Sequence, residues 1–342
     1  MLLAARYDNF SDVGSVVKPK VALSWVPHDM VQFRAAYAEG FRAPNLPQGV
    51  EEGVARSNTR TDILTDSRYG VMEIRGGNDQ LKPEESTHIS YGVVFAPTSD
   101  LMFTLDWWDI EQEGVVGVLN SQTHLLYDAL LRSQGGQNEA VVRDDDGFVL
   151  YVENQYSNLN PRKIQGMDAS ARYTIRTDMG RFDLKANIAR LTKFEQTPAE
   201  RSALVLAAQA EGNPAVPDDI AVLGAGDLLG MNGNPEWRAT TSVNWRLNQW
   251  SVYAQMKYVG SFESSWVRSN GKNLPVPSWT TYDLLASYEL KSNNWTDSTR
   301  LRLGVRNLAD KKPPVNSGSF GYISDVHSNR GRYVYADVTF RF

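Results

Sequence analysis

The stretch Gly331-Arg-Tyr-Val-Tyr-Ala-Asp-Val-Thr-Phe-Arg-Phe342 decides how the rest of the chain is read. Side chains of an extended strand alternate between two faces. Val334, Ala336, Val338, Phe340 and Phe342 fall on one face, and Tyr333, Tyr335, Asp337, Thr339 and Arg341 on the other. The first face is wholly apolar; the second carries charge. A soluble sheet with one wet face gives the same alternation, so the ending carries the distinction. Soluble domains usually end on polar residues, whereas this sequence stops inside a strand on an aromatic side chain.

Composition narrows the choice. The 342 residues carry a formal net charge of -5, with no basic excess to neutralise phosphates, which argues against nucleic acid as a partner. Hydrophobic residues make up 42%, yet no run approaches the ~20 apolar residues of a membrane helix; the best is Ala203-Leu-Val-Leu-Ala-Ala208. A membrane-spanning form must therefore be a β-barrel, in which every backbone group finds a partner between strands. The absence of cysteine suits export through an oxidising compartment. Nine Trp, fifteen Tyr and twelve Phe suit the aromatic girdles of such a barrel. Met1-Leu-Leu-Ala-Ala5 is too short for a signal h-region, and the expectation is that the chain begins within a longer protein.

Strand candidates follow one another along the chain. Leu2–Tyr7, Lys20–Val26, Val31–Phe41, Thr87–Phe95, Leu101–Glu111, Gly166–Ile175 and the run around Phe182–Ile188 come first. Arg238–Leu247, Trp250–Tyr258, Tyr282–Leu290, Leu301–Leu308 and the final strand complete about twelve. Short connections at Pro27, Pro97, Asp178, Asn248 and Asn294 alternate with long ones around Ser57–Gly77, Gln122–Asp145 and Pro198–Pro235. That alternation is expected when one rim carries tight turns and the other large loops, and the segments lie near the ~9–11 residues that cross a tilted bilayer. The predicted fold class is an all-β, antiparallel transmembrane β-barrel. An Arg or Lys on the lipid face near mid-bilayer costs ~2–4 kcal/mol, so Arg34, Arg172, Lys185, Arg246, Lys257, Arg302 and Arg306 are expected to face the lumen. For the same reason Phe103, Leu284 and Val338 are expected to face lipid, and Asp106, Asp283 and Asp337 the lumen.

Several segments resemble recurrent stretches of TonB-dependent outer-membrane receptors. Gly40-Phe41-Arg42-Ala43-Pro44-Asn-Leu46 is similar to that family's GFRAP-L stretch at an outward strand end. Asn78-Asp-Gln-Leu81-Lys82-Pro83-Glu84 is similar to its N-x-x-L-K-P-E stretch. Asp106-Trp-Trp-Asp-Ile110, Ile164-Gln-Gly-Met-Asp168 and Leu303-Gly-Val-Arg-Asn307-Leu308-Ala-Asp310-Lys-Lys-Pro-Pro314 match further segments in the right order. Val338, Phe340 and the terminal Phe342 resemble the C-terminal signal read by the outer-membrane barrel assembly machinery. Ala309 stands where the family often has Phe, and Asp168 where Glu is commoner. The resemblance implies the C-terminal part of a 22-stranded barrel over residues 1–342, located in the bacterial outer membrane. It further implies, in the intact receptor, a plug domain and the TonB energy-transducing complex, for energy-coupled uptake of a scarce ligand such as a ferric siderophore. Alone, the chain is expected to form a passive pore or to fail to assemble.

No chemistry of another kind stands out. His28, His88, His124 and His327 show no metal-ligand spacing and read as surface histidines, and no nucleophile motif is present. No metal and no cofactor is expected. Asp144-Asp-Asp146 reads as a solvated acidic turn rather than a calcium loop, and Ala199–Ala210 has helix-forming composition. Arg68, Tyr69, Arg75, Trp266, Arg268, Phe320 and Tyr322 are candidate ligand contacts in outer loops, because Arg and aromatic side chains suit bulky, often anionic ligands. A porin-like passive channel, an outer-membrane enzyme and a non-functional truncated receptor are the competing readings.

Overall fold

The structure, a computed structural model, describes residues 1–10, 14–50, 52–269, 272–291, 297–316 and 320–341. Twelve strands form one antiparallel sheet in chain order. They are β1 (Leu2–Phe10), β2 (Gly14–His28), β3 (Val31–Arg42), β4 (Glu84–Thr98), β5 (Leu101–Glu113), β6 (Arg162–Thr177), β7 (Gly180–Gln196), β8 (Trp237–Leu247), β9 (Trp250–Val259), β10 (Trp279–Lys291), β11 (Ser298–Arg306) and β12 (Tyr333–Arg341). β1 pairs with β2 and β12 with β11, but among the described residues β1 and β12 do not pair with each other, so the described sheet is open.

Since every step reverses direction, successive connections leave from opposite ends. The turns after β2, β4, β6 and β8 therefore share one rim, with Pro27, Pro97, Asp178 and Asn248 there as expected; Asn294 lies outside the described residues. Asn248 takes a φ of 51°, a left-handed conformation that Asn tolerates in tight turns. The long connections after β3, β5, β7, β9 and β11 share the other rim. β4, β6 and β7 run 15, 16 and 17 residues, longer than a bilayer crossing needs.

The register fixes the two faces, because cross-strand partners point the same way. Phe103 lies opposite Phe95 and Ala171, Leu284 opposite Ala254 and Val305, and Val338 opposite Leu301. Asp106, Asp283 and Asp337 lie on the other face. There Arg34 pairs with Asp106, Arg246 with Asp183, Lys257 with Asp283 and Arg302 with Asp337. Arg34 reaches Asp106 across β4 at Gly92, the residue in register with both; a Cβ there would come within 2.0 Å of the Asp106 carboxylate. In a barrel wall the apolar row faces lipid and the charged row the lumen, as the sequence predicts.

The buried apolar clusters of the chain lie in the long connections and not in the wall. Val71, Leu125, Val141, Val149 and Val152 form one; Leu126, Leu130, Val205, Ala208 and Val216 a second; Phe262, Val276 and Ile323 a third. A wall one sheet thick buries nothing against itself, whereas the loops pack on one another. Strands Val54–Asp62, Ser67–Gly76, Val149–Gln155 and Val141–Arg143 make a four-stranded sheet, its middle pair parallel. Helix α1 (Ser121–Ser133) packs on this sheet, and α2 (Glu200–Ala210) packs on α1. α2 falls where the sequence predicts helix. The sheet and α1, by contrast, replace stretches read as plain polar loop.

Candidate functional site

The family-like segments fasten the strands to the loop rim. Arg42 Nε donates to Glu84 Oε2 at 2.8 Å, and a second guanidinium nitrogen donates to the other carboxylate oxygen, a bidentate clasp from the end of β3 to the start of β4. Glu84 also accepts the Val116 N–H at 2.6 Å. The Lys82 N–H and carbonyl are both held by Asn158, at 2.9 and 2.8 Å. Asn307 and Asp310 adopt φ of 50° and 51°; Asn307 exchanges two hydrogen bonds with the Lys311 backbone, and Asp310 accepts the Arg332 N–H at 2.7 Å. Leu308, half-exposed, donates its N–H to Tyr282. Gly166 and Gly304 lie beneath aromatic rings of the neighbouring strand: a Cβ would come within 2.4 Å of Trp108 and 2.3 Å of Tyr335. Val338 and Phe340 lie on the apolar row of β12, and Phe342 is outside the described residues.

Behind this clasp the loop layer encloses two adjoining polar cavities that share Arg60. The first, about 310 Å³, is bordered by Arg60, Glu73, Arg75, Arg162 and Gln196, with Asn120 and Ala199, the N-caps of α1 and α2, and Ser202. The second, about 330 Å³, is bordered by Arg60 and Arg68 and by Asp66 and Asp219, so its cations face carboxylates. In the first, Glu73 is the only acidic side chain among the described lining residues, and Arg75 Nε engages it at 2.6 Å. Burial pulls the Arg60 guanidinium below its usual value, Glu73 opposing and Arg75 reinforcing the shift.

A second charged cluster sits in the layer's interior. Arg143 donates to both oxygens of Asp62, at 2.6 and 3.0 Å, to Asp128 at 3.0 Å and to the Gly147 carbonyl at 2.8 Å. Tyr69 donates its hydroxyl proton to Asp62 at 2.8 Å and accepts the Val149 N–H at 3.0 Å. Burial works against the Asp62 charge, but Arg143, Tyr69 and Thr65 outweigh it and hold the carboxyl below its ordinary value. His124, on α1, is buried and pushed down to about 4 by that burial and by Arg201. His327 is buried as well, between Phe262 and Trp279. These two correct the reading of all four histidines as surface residues; His28 and His88 are exposed. The burial comes from loop packing that no local pattern announces.

The candidate ligand residues divide into two groups. Arg68, Tyr69 and Arg75 lie on the strand Ser67–Gly76, where Arg75 borders the first cavity, Arg68 the second, and Tyr69 holds Asp62. Trp266 and Arg268 lie in the strand Phe262–Ser269, their side chains outside the described residues; Phe320 is exposed and Tyr322 half-buried in the connection before β12, next to the buried Ile323. Arg60, Glu73 and Arg162, which the sequence reading missed, join Arg75. Arg60 shares a face with Asn58 on a strand rich in charged and polar residues, a period visible only once the segment is known to be extended. Asp144 accepts the Asp146 and Phe148 N–H groups, an exposed turn held by its own side chain. No group of metal-ligating side chains occurs among the described residues.

The profile of the family described as TonB dependent receptor-like, beta-barrel, matches residues 1–308. No curated protein matches the chain in sequence. Among solved structures, the siderophore receptor PirA from Acinetobacter baumannii superposes with a TM-score of 0.64 at 19% identity, over 99% of this chain and 43% of its own. A mutant of the ferric enterobactin receptor PfeA from Pseudomonas aeruginosa gives 0.65 at 17% identity, over 99% and 42%. The copper transporter OprC gives 0.52 at 15%, over 96% and 39%. At such identities the likeness is one of fold, and the chain spans less than half the length of these structures. From the matched profile, the twelve-stranded wall and the folded loop rim, the chain belongs to the TonB-dependent receptor β-barrel family of the bacterial outer membrane.

Proposed function

We propose that residues 1–342 are the C-terminal part of a receptor barrel that takes up a scarce ligand, such as a ferric siderophore, by energy-coupled transport. The observation that carries this reading is the division of the chain into a wall and a loop layer. Twelve strands with an apolar and a charged face make the wall, and the rim with long connections carries folded cavities bordered by Arg60, Arg68, Arg75 and Arg162. A passive channel needs only the wall; a ligand-capturing layer is what a receptor adds. The unpaired edges at β1 and β12 call for further strands, since each unsatisfied backbone group in lipid costs several kcal/mol. Those strands, completing a barrel of about 22, and a plug filling its lumen are the partners this reading requires, with the TonB complex as energy source and the barrel assembly machinery for insertion. The test is accumulation of radiolabelled ferric chelates by cells expressing the full receptor, with and without an active TonB complex. Equal accumulation in both would replace this reading with passive diffusion.

A further inference from the structure

The four-stranded sheet of the loop layer has two unlike edges. One is Val141–Arg143, three residues long, with a register shift against its neighbour between Val149 and Tyr151. The other is Val54–Asp62, nine residues paired with Ser67–Gly76 without a register shift. It contains neither proline nor lysine, two residues that keep other chains off exposed edge strands. The short edge is guarded in the usual way; the long one is not.

One contact fixes the direction of its backbone groups. The Gln122 side chain of α1 accepts the Thr61 N–H at 2.9 Å and donates to the Thr61 carbonyl at 2.7 Å, as a residue of an adjoining strand would. Thr61 therefore points its N–H and C=O away from Ser67–Gly76. In an antiparallel pair this direction alternates from residue to residue. Ala55, Ser57 and Thr59 thus point outward with Thr61, while Asn58 and Arg60 point inward to Val71 and Tyr69. Ala55, Ser57 and Thr59 are exposed, and no acceptor among the described residues takes their N–H groups. Beside Thr59 and Thr61 the edge borders the second cavity, of about 330 Å³, with Pro217, Ile220 and Leu223 also on its border. The chain leaves space there instead of packing against the strand.

We infer that Val54–Asp62 is a docking edge for an extended polypeptide segment of another protein, which joins the sheet as a fifth strand with its end in the cavity beside Thr59. The recognition groups are backbone donors and acceptors that recur every ~7 Å along a line, and another extended chain is what matches such a row. Gln122 already holds the place of one residue of that strand, which sets where the strand stops. Ala55, Ser57 and Thr59 put little bulk on one face of the edge, whereas Arg56, Asn58 and Arg60 lie on the other. Opposite charges across a strand pair stabilise it and like charges destabilise it, so the incoming strand is one with acidic residues at alternate positions. This partner is distinct from the transported ligand, and the inference does not depend on energy-coupled uptake.

The test is fluorescence polarisation of short labelled peptides, Val alternating with Glu or Val alternating with Lys, against the protein purified in detergent. The Glu peptide should bind and the Lys peptide should bind more weakly. Methylating every second amide of the Glu peptide should abolish binding in one phase, the one that faces the edge, and leave it intact in the other. Ser57→Pro removes an outward N–H and no inward one, a position where edge strands tolerate proline; it should weaken the Glu peptide by about tenfold. Hydrogen exchange on the unaltered protein covers the case in which that variant disturbs the sheet. Peptide should slow the Ser57 and Thr59 amides and leave those of Asn58 and Arg60 unchanged. No binding, or equal binding by both methylated forms, would overturn the inference. Ser57 and Thr59 amides already slow without peptide would also overturn it, because another part of the protein would then cover the edge. Self-association that Ser57→Pro abolishes would replace the peptide with a second copy of the chain, and a Lys peptide as tight as the Glu peptide would overturn the acidic assignment. Peptide binding without TonB-dependent chelate uptake leaves this inference and removes the receptor reading; uptake without peptide binding does the reverse.

Discussion

Asp62 and Arg143 stand 81 positions apart in the chain, and two hydrogen bonds of 2.6 and 3.0 Å join their side chains inside the loop layer. Asp62 ends one strand of the small sheet and Arg143 ends another, while Arg143 also ties in Asp128 of α1. One guanidinium therefore holds together three elements drawn from two different connections.

Removing it should loosen the layer without touching the wall. Arg143→Met leaves the buried Asp62 carboxylate without its cation, while Asp128 keeps Arg132, and breaking a buried pair in this way costs about 3–5 kcal/mol. Hydrogen exchange should accelerate at Val141–Arg143 and Val149–Gln155, with the amides of β6–β9 unchanged. Uniform acceleration across both would show that layer and wall unfold as one unit.

Acid should act on the same layer through two groups. Asp62 titrates below its ordinary value when folded, so its contribution is complete above the ordinary carboxyl pKa and disappears as pH falls through the lowered one. His124 titrates at about 4 rather than 6.5; between those values the unfolded layer binds a proton that the folded one refuses. Stability should therefore fall as pH drops from 6.5 to about 4, by on the order of 3 kcal/mol in all. His124→Gln should flatten that part of the profile, measured by exchange of the α1 amides against pH. A slope unchanged in the variant would place the acid response elsewhere.

On the wall, Leu284→Arg should cost about 2–4 kcal/mol, because it puts a cation on the lipid row. Arg302→Gln, which loses only a half-exposed pair with Asp337 in the lumen, should cost less than about 1 kcal/mol. Denaturant titration of the assembled barrel in detergent or bilayers compares the two. Equal costs would invert the assignment of faces.

Gly304 is held free of a side chain by Tyr335, whose ring occupies the space of its missing Cβ. Gly304→Val should displace that ring and cost about 1–3 kcal/mol, as overpacking does. In the double variant with Tyr335→Ala the two changes should fit together, so the pair should cost less than the sum of the singles. A strictly additive result would mean that the ring is free to move aside.

The sequence by itself determined the wall. An alternation of two residues per face needs only local information, and the rows through Phe103, Leu284 and Val338 and through Asp106, Asp283 and Asp337 follow from it together with antiparallel order. The order of short and long connections fixed the two rims in the same way. The family-like segments were legible as strings, yet what they do was not: Arg42 and Glu84 clasp each other from 42 positions apart, and Gly166 and Gly304 make room for rings on other strands. The loop layer was decided by tertiary structure. Its strands carry charged residues inward, such as Glu73, engaged by Arg75 on the same strand, and Asp62, neutralised by Arg143 from a distant segment, and that inversion hides the alternation that marks a strand. Arg75 was visible as a candidate because arginine in an outer loop suits an anion. Its neighbours Arg60 and Arg162 come from the connection after β3 and from the start of β6, and only folding brings their charges to one cavity.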